Sequence, residues 1–251
     1  MTLPSSGPLS LSAIQGEFGG SNPIGISEYY AGGGLVPPGT TSPVAGAVPT
    51  SPNPISIYNF YGTTNFIPHT DPYYTGSGNA VVPSGAVQVV ISVQGGSGAG
   101  GYGDYDSGED QSYGGGGGGS GGWVQLTRSL NGSDAGVNIS YTVGVDGTVP
   151  SQLDGTSSTV SGSVSGGSIS ITAGFGRAGG TGTPGSGGDG GSASGGNTNN
   201  VGNSGGNGSS GSGGGGGGPP SGGTGQGGTG GYGASEPGTD GSGAYISFAW
   251  T

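Results

Sequence analysis

The chain divides by the way its apolar positions are spaced. Over positions 1–62 three stretches share one pattern: GPLSLSAIQGEFG at 7–19, NPIGISEYYAG at 22–32 and NPISIYNFYG at 53–62. Each opens near a proline, follows with two aliphatic residues separated by one small residue, and runs into a polar and aromatic turn. Proline favours an extended start, and the alternations Leu9/Leu11, Ile24/Ile26 and Ile55/Ile57 predict very short strands. Ser12 and Gln15 have the spacing of a capping box for one helical turn carrying Ile14 and Phe18, and Ser27 is placed to cap a turn ending at Tyr29 and Tyr30. Prolines at 37, 38, 43, 49, 52 and 54 argue against an independent core in so short a region. Residues 1–62 are therefore expected to attach the chain to a partner. The candidate attachment residues are Leu9, Leu11, Ile14, Phe18, Ile24, Ile26, Tyr29, Tyr30, Ile55, Ile57, Phe60 and Tyr61.

From residue 63 the period becomes two. VPSGAVQVVISVQG (82–95), GWVQLTR (122–128), GVNISYTVG (136–144), SVSGGSISITAG (163–174) and AYISFAW (244–250) alternate apolar and polar residues between glycines, and predict five or six antiparallel strands. One face would carry Val87, Val89 and Ile91, then Val124 and Leu126, then Ile139, Tyr141 and Val143, then Ile169 and Ile171, and finally Tyr245 with the apolar partners of its strand. The expectation is a small sheet with one buried face. Its last strand follows the fifth by some 70 residues, so the intervening chain must leave the sheet and return.

That intervening chain holds 34 glycines in the 70 positions 174–243, a composition that by itself reads as a flexible linker. The spacing argues for order. Glycine recurs at every third position over 176–191, again over 202–217, and again over 222–231, with Asn197 to Asn200 and then Pro219 and Pro220 at the breaks. Period three is that of the polyproline II helix, which rises about 3.1 Å per residue, so each 16-residue run would span about 50 Å. Ordering glycine is entropically expensive, and an isolated helix of this kind has no internal hydrogen bonds. A bundle offsets that cost, because residues without side chains let neighbouring backbones approach and bond. Shorter glycine segments at 95–103 and 114–122 flank strands and are expected to add two more rods. The expected fold is thus all-β and irregular. A small antiparallel sheet combined with a bundle of polyglycine II helices makes one domain, 63–251, preceded by the short repetitive attachment region 1–62.

Composition narrows the function. Leucine, isoleucine, valine and phenylalanine make only 40 of 251 residues, below the level at which composition begins to predict disorder. The chain has 71 glycines, no cysteine, one histidine, and Arg128 and Arg177 as its sole basic residues against 13 carboxylates. A net charge of −11 disfavours nucleic acid and anionic membrane as partners. No apolar run approaches a membrane span, and the segment from Met1 to Gly20 lacks the features of a secretory signal, so synthesis and solubility in a cytoplasm are expected. No disulfide or thiolate metal site is available, and no nucleophile elbow, zinc or phosphate-loop motif occurs.

The strand opening VPSGAVQVVISVQGG, then GGWVQLTR, SYTVGVDG and the terminal GAYISFAWT resemble the glycine-rich domain of phage tail-fibre and tail-tip proteins. The period-three runs are similar to the polyglycine II sandwich of the receptor-binding adhesins that tip the long tail fibres of T-even-like phages. SSGPLSLSAIQGEFGGSNPIGISEYY resembles a short module recurring in phage virion proteins. One departure is that nearly half of 63–251 reads as sheet, where the adhesins would be mostly polyglycine helix.

The resemblance implies a virion protein, on the tail fibre or tail tip, that binds a host-surface protein or glycan. It implies several copies per virion, attachment to other tail or fibre proteins through 1–62, and no enzymatic activity, cofactor, metal or membrane insertion. In that family the loops joining the polyglycine helices at the free end touch the receptor. The matching positions here are Tyr102, Asp104, Tyr105, Asp106, Glu109, Asp110, Gln111 and Tyr113, then Asn197, Asn199 and Asn200, then Pro219 and Pro220, then Tyr232, Ala234, Ser235 and Glu236. Tyrosines on loops held by a rigid frame suit recognition on physical grounds as well, since they offer contact area at low entropic cost.

The rival reading is a purely structural virion component of fibre, baseplate or capsid. An ice-binding protein and a glycan-cleaving enzyme are more distant: no secretion signal favours the first, and the acids at 104–110 share one loop without an opposing pair. The same acids lack the ligand spacing of a calcium loop. The sequons at Asn131, Asn138 and Asn207 read as compositional accidents, His69 as a linker residue, and Trp123 and Trp250 as strand packing.

Overall fold

The computed structural model describes residues 2–232 and 236–251; Ala234 and Ser235 lie outside them. In the N-terminal region the three proline-led stretches start helical turns, where short strands were expected. They form α1 (Leu11–Phe18) and two 3-10 turns, Ile26–Glu28 and Ile57–Phe60. The small residue between the two aliphatics is the N-cap each time: Ser10, Gly25 and Ser56, all with extended backbone. Ser10 Oγ accepts from the Ala13 N–H at 3.2 Å, so Ser12 lies inside the helix and is not its cap. The Glu28 carboxylate accepts from the Gly25 N–H at 2.7 Å, and Asn59 Oδ1 from the Ser56 N–H at 2.8 Å.

The residue six beyond each proline, Ile14, Tyr29 or Phe60, is fully buried. The Phe60 ring meets Phe18 and Tyr29 edge to face, with centroids 5.9 and 6.2 Å apart. Leu3, Ala31, Val36 and Val48 close this cluster. The region therefore has a core of its own, against the expectation that it would lack one, because three turns each contribute a large side chain to one centre. Ile14, Phe18, Tyr29 and Phe60 are spent in that core and offer no docking surface. Leu9, Leu11, Ile24, Ile26, Tyr30, Ile55 and Tyr61 are half-buried, and Ile57 is exposed. A two-residue ladder, β1 (Thr41–Ser42) with β2 (Gly46–Ala47), completes the region.

The remaining strands are β3 (His69–Tyr73), β4 (Ser77–Val81), β5 (Gln88–Gln94), β6 (Asp104–Asp106), β7 (Gln111–Tyr113), β8 (Trp123–Ser129), β9 (Asn138–Thr142), β10 (Ser158–Val164), β11 (Gly167–Ala173), β12 (Ala193–Ser194), β13 (Thr198–Asn200) and β14 (Tyr245–Trp250). Ten of them build two five-stranded antiparallel sheets, ordered β12-β11-β10-β9-β4 and β13-β8-β5-β14-β3, where one small sheet was expected, and β6 pairs with β7 alone. The stretch 163–174, whose alternation reads as one strand, belongs to a hairpin whose other arm, β10, is mostly serine, threonine and glycine. His69 is not in a linker but opens edge strand β3, opposite Trp250.

Both sheets face one core, as alternation dictates. Val89, Ile91 and Val93 of β5, Val124 and Leu126 of β8, Ile139, Val160, Ile169 and Ile171 meet there. Val87 does not: it precedes β5 and is 65% exposed. In β14 the buried residues are Ile246, Phe248 and Trp250, and Tyr245 points away from them.

Glycine-rich segments prolong the sandwich strands beyond one end, and their hydrogen bonding has period three. In 114–122, the N–H groups of Gly114, Gly117 and Ser120 donate to Ser209, Gly206 and Asn203. Those of Gly115 and Gly118 donate to Gly231 and Gly228, and those of Gly116, Gly119 and Gly122 to Gly180, Arg177 and Gly174. The carbonyls of the same segment accept from three more: from 95–101, from 185–191 and from 214–217. One segment thus has six bonded neighbours, and every residue of 114–122 is buried. Ser120 finds room for its side chain, but most positions admit only glycine. A Cβ on Gly116 would lie 1.7 Å from the Ser186 carbonyl oxygen, and one on Gly117 2.0 Å from that of Gly215.

The two longer glycine runs are not continuous rods, against the expectation that each would extend over its full length. The run 176–191 folds back at 181–184, where Gly174, Arg177 and Gly180 donate to Ser192, Asp189 and Ser186. The run 202–217 folds back at 209–212, where Gly206 donates to Gly215 and Ser209 to Ser212. Short antiparallel segments let most buried N–H groups find a carbonyl at their own level, which a rod longer than its neighbours could not do; Gly121 donates instead to Ser97 Oγ at 3.2 Å. Of the third run, Gly222 lies over the Trp123 ring and only 225–231 joins the bonded array.

The chain enters from the N-terminal region through 63–68 to His69, opposite Trp250. That is the end of the sandwich remote from the glycine segments, which leave at Gln94 and re-enter at Trp123 and Tyr245.

Candidate functional site

At the far end of the glycine array, away from the sandwich, the chain turns through 102–113, 181–184 and 209–212, and Tyr232 and Glu236 lie beside these turns. Backbone bonds tie these turns together: Gly103 N–H to Glu236 O (3.1 Å), Gly114 N–H to Ser209 O (3.0 Å), Gly211 N–H to Ser112 O (3.0 Å) and Gly116 N–H to Gly180 O (3.0 Å). The longest turn is a hairpin, β6 against β7, with Asp104 opposite Tyr113 and Asp106 opposite Gln111.

Side chains lock this hairpin from within. The Tyr105 hydroxyl donates to the Asp110 carboxylate, the Tyr113 hydroxyl to Glu109, and Gln111 Nε2 to Ser210 Oγ on the neighbouring turn. Asp106 Oδ1 accepts from the Gly108 N–H at 2.7 Å, and Asp104 Oδ1 from the Tyr105 N–H at 2.8 Å. Donation to Asp110, with some burial and the charge of Asp106, raises the Tyr105 phenol above its ordinary pKa. Donation to Glu109 does the same for Tyr113. Both phenols therefore stay neutral, and the tip presents neutral rings beside carboxylates. Tyr105 and Tyr232 remain exposed, Tyr102 and Tyr113 half so.

Of the expected recognition residues, Tyr102, Asp104, Tyr105, Asp106, Glu109, Asp110, Gln111, Tyr113, Tyr232 and Glu236 come together here. The other set does not join them. Asn197, Asn199 and Asn200 lie at the sandwich end, where Thr198–Asn200 pairs with Trp123–Gln125. Asn197 Oδ1 accepts from the Thr127 N–H at 2.7 Å, Asn199 closes its own turn on Gly196, and Asn200 Nδ2 donates to the Ser221 carbonyl at 2.5 Å. Pro220 is buried and Pro219 sits at the same end, its carbonyl bonded to Asn203. These polar groups build the junction of sandwich and array.

Sequence reasoning missed two turns at the tip, Thr181 to Pro184 and Ser209 to Ser212, because each falls inside an unbroken glycine period. The signal was present in the non-glycine residues between the glycines: a proline at 184 and a Ser209-Ser210 pair.

Among the described residues, no group of three or more histidine, aspartate or glutamate side chains is arranged to hold a metal ion. His69 Nε2 lies 3.7 Å from Asp71, whose carboxylate accepts from Trp250 Nε1 at 2.7 Å, far from the tip. Among the same residues, no helix is long and apolar enough to cross a membrane. No protein-family model matches the chain, and no curated protein matches it in sequence.

Proposed function

We propose that the glycine segments are polyglycine II helices and that the chain is a host-attachment protein of a tailed-phage virion, on the tail fibre or tail tip. In this reading the tip loops contact a surface protein or glycan of the host cell. The carrying observation is the convergence of three turns, with Tyr232 and Glu236, at one end of a backbone-bonded array, while the N-terminal region joins at the other. Period-three bonding to six neighbours is the pattern expected of packed helices with three residues per turn. Such a frame is held mainly by backbone bonds, with a few side chains such as Ser97, Asp154 and Asn207 bonding into it, so its turns can vary with little disturbance to it. Residues 1–62 attach the chain to neighbouring tail or fibre proteins, now through Ile57 and the half-buried Leu9, Leu11, Ile24, Ile26, Tyr30, Ile55 and Tyr61 rather than through their core. Affinity comes from several copies acting together, and no cofactor or catalytic residue is needed.

A second reading, a structural virion component without a receptor, is favoured by one detail. The Tyr105 and Tyr113 hydroxyls are already bonded within their own hairpin and need no outside partner. Replacing 104–112 by a short glycine-serine turn separates the two. Lost adsorption with virions still assembled, and gold-labelled antibody to 102–113 at the fibre or tail tips, supports attachment; normal adsorption with label on shaft, baseplate or capsid supports the structural role.

A further inference from the structure

A cleft of about 280 Å³ opens on the flank of the molecule where the sandwich meets the glycine array, well away from the tip turns. Its walls include Tyr74, Thr75, Val145, Asp146, Thr148 and Ala244. Tyr74 stands on the short corner by which the chain passes from β3 in one sheet to β4 in the other, and its ring is 67% exposed. The corner is fixed by the Val143 N–H donating to the Gly76 carbonyl at 2.8 Å. Asp146 is equally fixed, since Oδ1 accepts from the Ser97 N–H at 2.8 Å and Oδ2 from the Ala244 N–H at 3.3 Å. Each oxygen keeps a further lone pair for a ligand donor. Val145, 65% exposed, gives a second apolar surface, and Thr75 and Thr148 bring exposed hydroxyls.

We propose that this cleft binds one neutral pyranose residue of a surface glycan. A pyranose ring has an apolar C–H face and a rim of hydroxyls. The cleft offers the complements of both: an exposed tyrosine ring and a valine in its walls, and hydroxyl and carboxylate groups within the same small volume. A space of this size is at the lower end for small-molecule sites, so it takes one ring and leaves the rest of a polymer in solvent. The carboxylate in the wall excludes phosphorylated or acidic sugars, because an anion there would meet Asp146 with no cation to balance it. With so few contacts on an open cleft, affinity is millimolar, and retention at a cell surface comes from repeated copies. The site does not depend on the tip being a receptor-binding end.

Saturation-transfer NMR on the full chain, with the methyl glycosides of glucose, galactose, mannose and N-acetylglucosamine at millimolar concentration, tests the proposal. At least one glycoside should receive saturation. Tyr74→Ala should weaken that binding at least tenfold, Tyr74→Trp should retain it, and Thr148→Val should weaken it severalfold; the first and last replace exposed side chains and leave the fold intact. The 104–112 replacement should bind the sugar as the parent does. Absence of transfer from all four sugars, unchanged binding in Tyr74→Ala, or loss of binding only in the tip variant would each overturn the assignment.

Discussion

Gly117→Ala probes the glycine array at its centre. Gly117 donates to Gly206 O at 2.9 Å and accepts from Gly188 N at 2.8 Å, while its missing side chain faces the Gly215 carbonyl oxygen, 2.0 Å from where a Cβ would sit. Ordinary van der Waals contact begins at 3.4 Å, so the 213–217 segment or the central one must move by more than an ångström. A shift of that size breaks or stretches the two Gly117 bonds and the neighbouring bonds from Gly214 to Gly115 and Gly217 to Gly118, all 2.8–2.9 Å long. At about 1 kcal/mol net per bond the loss is about 2–4 kcal/mol. Against it stands the reduced freedom of the unfolded chain, worth about 0.4–1 kcal/mol in favour of alanine. The balance, about 1–3.5 kcal/mol, corresponds to a melting temperature lower by roughly 2–14 °C in a domain of this size.

Gly215→Ala is the matched control. It sits on the outer segment with nothing within 4 Å of its would-be Cβ and no left-handed φ, so alanine should be neutral or slightly stabilising. Scanning calorimetry on both variants makes the comparison. Equal melting temperatures for Gly117→Ala and Gly215→Ala would refute the reasoning, since the array would then not be packed backbone to backbone.

Two further outcomes are expected. Burial alone would raise the Asp134 carboxyl, but the Ser165 hydroxyl and the N–H groups of Asn131 and Ser165 outweigh it and hold the pKa below the ordinary aspartate value. Its contribution to stability is thus complete above that ordinary value and lost as pH falls through the folded one; Asp134→Ala should cost about 2–4 kcal/mol near neutrality and flatten the acid limb of a urea-midpoint profile. Phe60→Ala removes the ring at the centre of the N-terminal core and should cost that region about 3–5 kcal/mol. Chymotrypsin should then cut within residues 1–62 while the sandwich melts unchanged, and a single cooperative loss of the whole chain would show that the two cores are not separable.

Much of the β part was legible, and the reason is the period-two rule. Val124, Leu126, Ile139, Ile169 and Ile171 alternate with polar residues and are buried, as are Val89 and Ile91 on either side of Val90. The second sheet was harder to see because β4 and β10 carry few large side chains, and edge strand β3 of the other sheet was masked by its proline. In the N-terminal region the turns carrying Ile14 and Phe18 and ending at Tyr29 and Tyr30 were legible, whereas the aliphatic alternation pointed to short strands that do not form. A small residue between two aliphatics looks like strand alternation, and here it is an N-cap with an aliphatic on either side. At the tip, the tyrosines and acids of 102–113 stood out against glycine, whereas Asn197 to Asn200 stood out equally and belong to the sandwich end.

What the sequence determined by itself was the local rule: apolar alternation sets which strand face is buried, and glycine at every third position sets which face of a segment its neighbours can approach. Neither rule carries length or partner. Where each run folds back, which of six neighbours bonds a given N–H or carbonyl, and which turns share an end were decided only in the tertiary structure. Glycine has no side chain with which to specify a partner, so the choice falls to backbone bonds between residues as far apart as Gly98 and Gly228, and those are satisfied together or not at all.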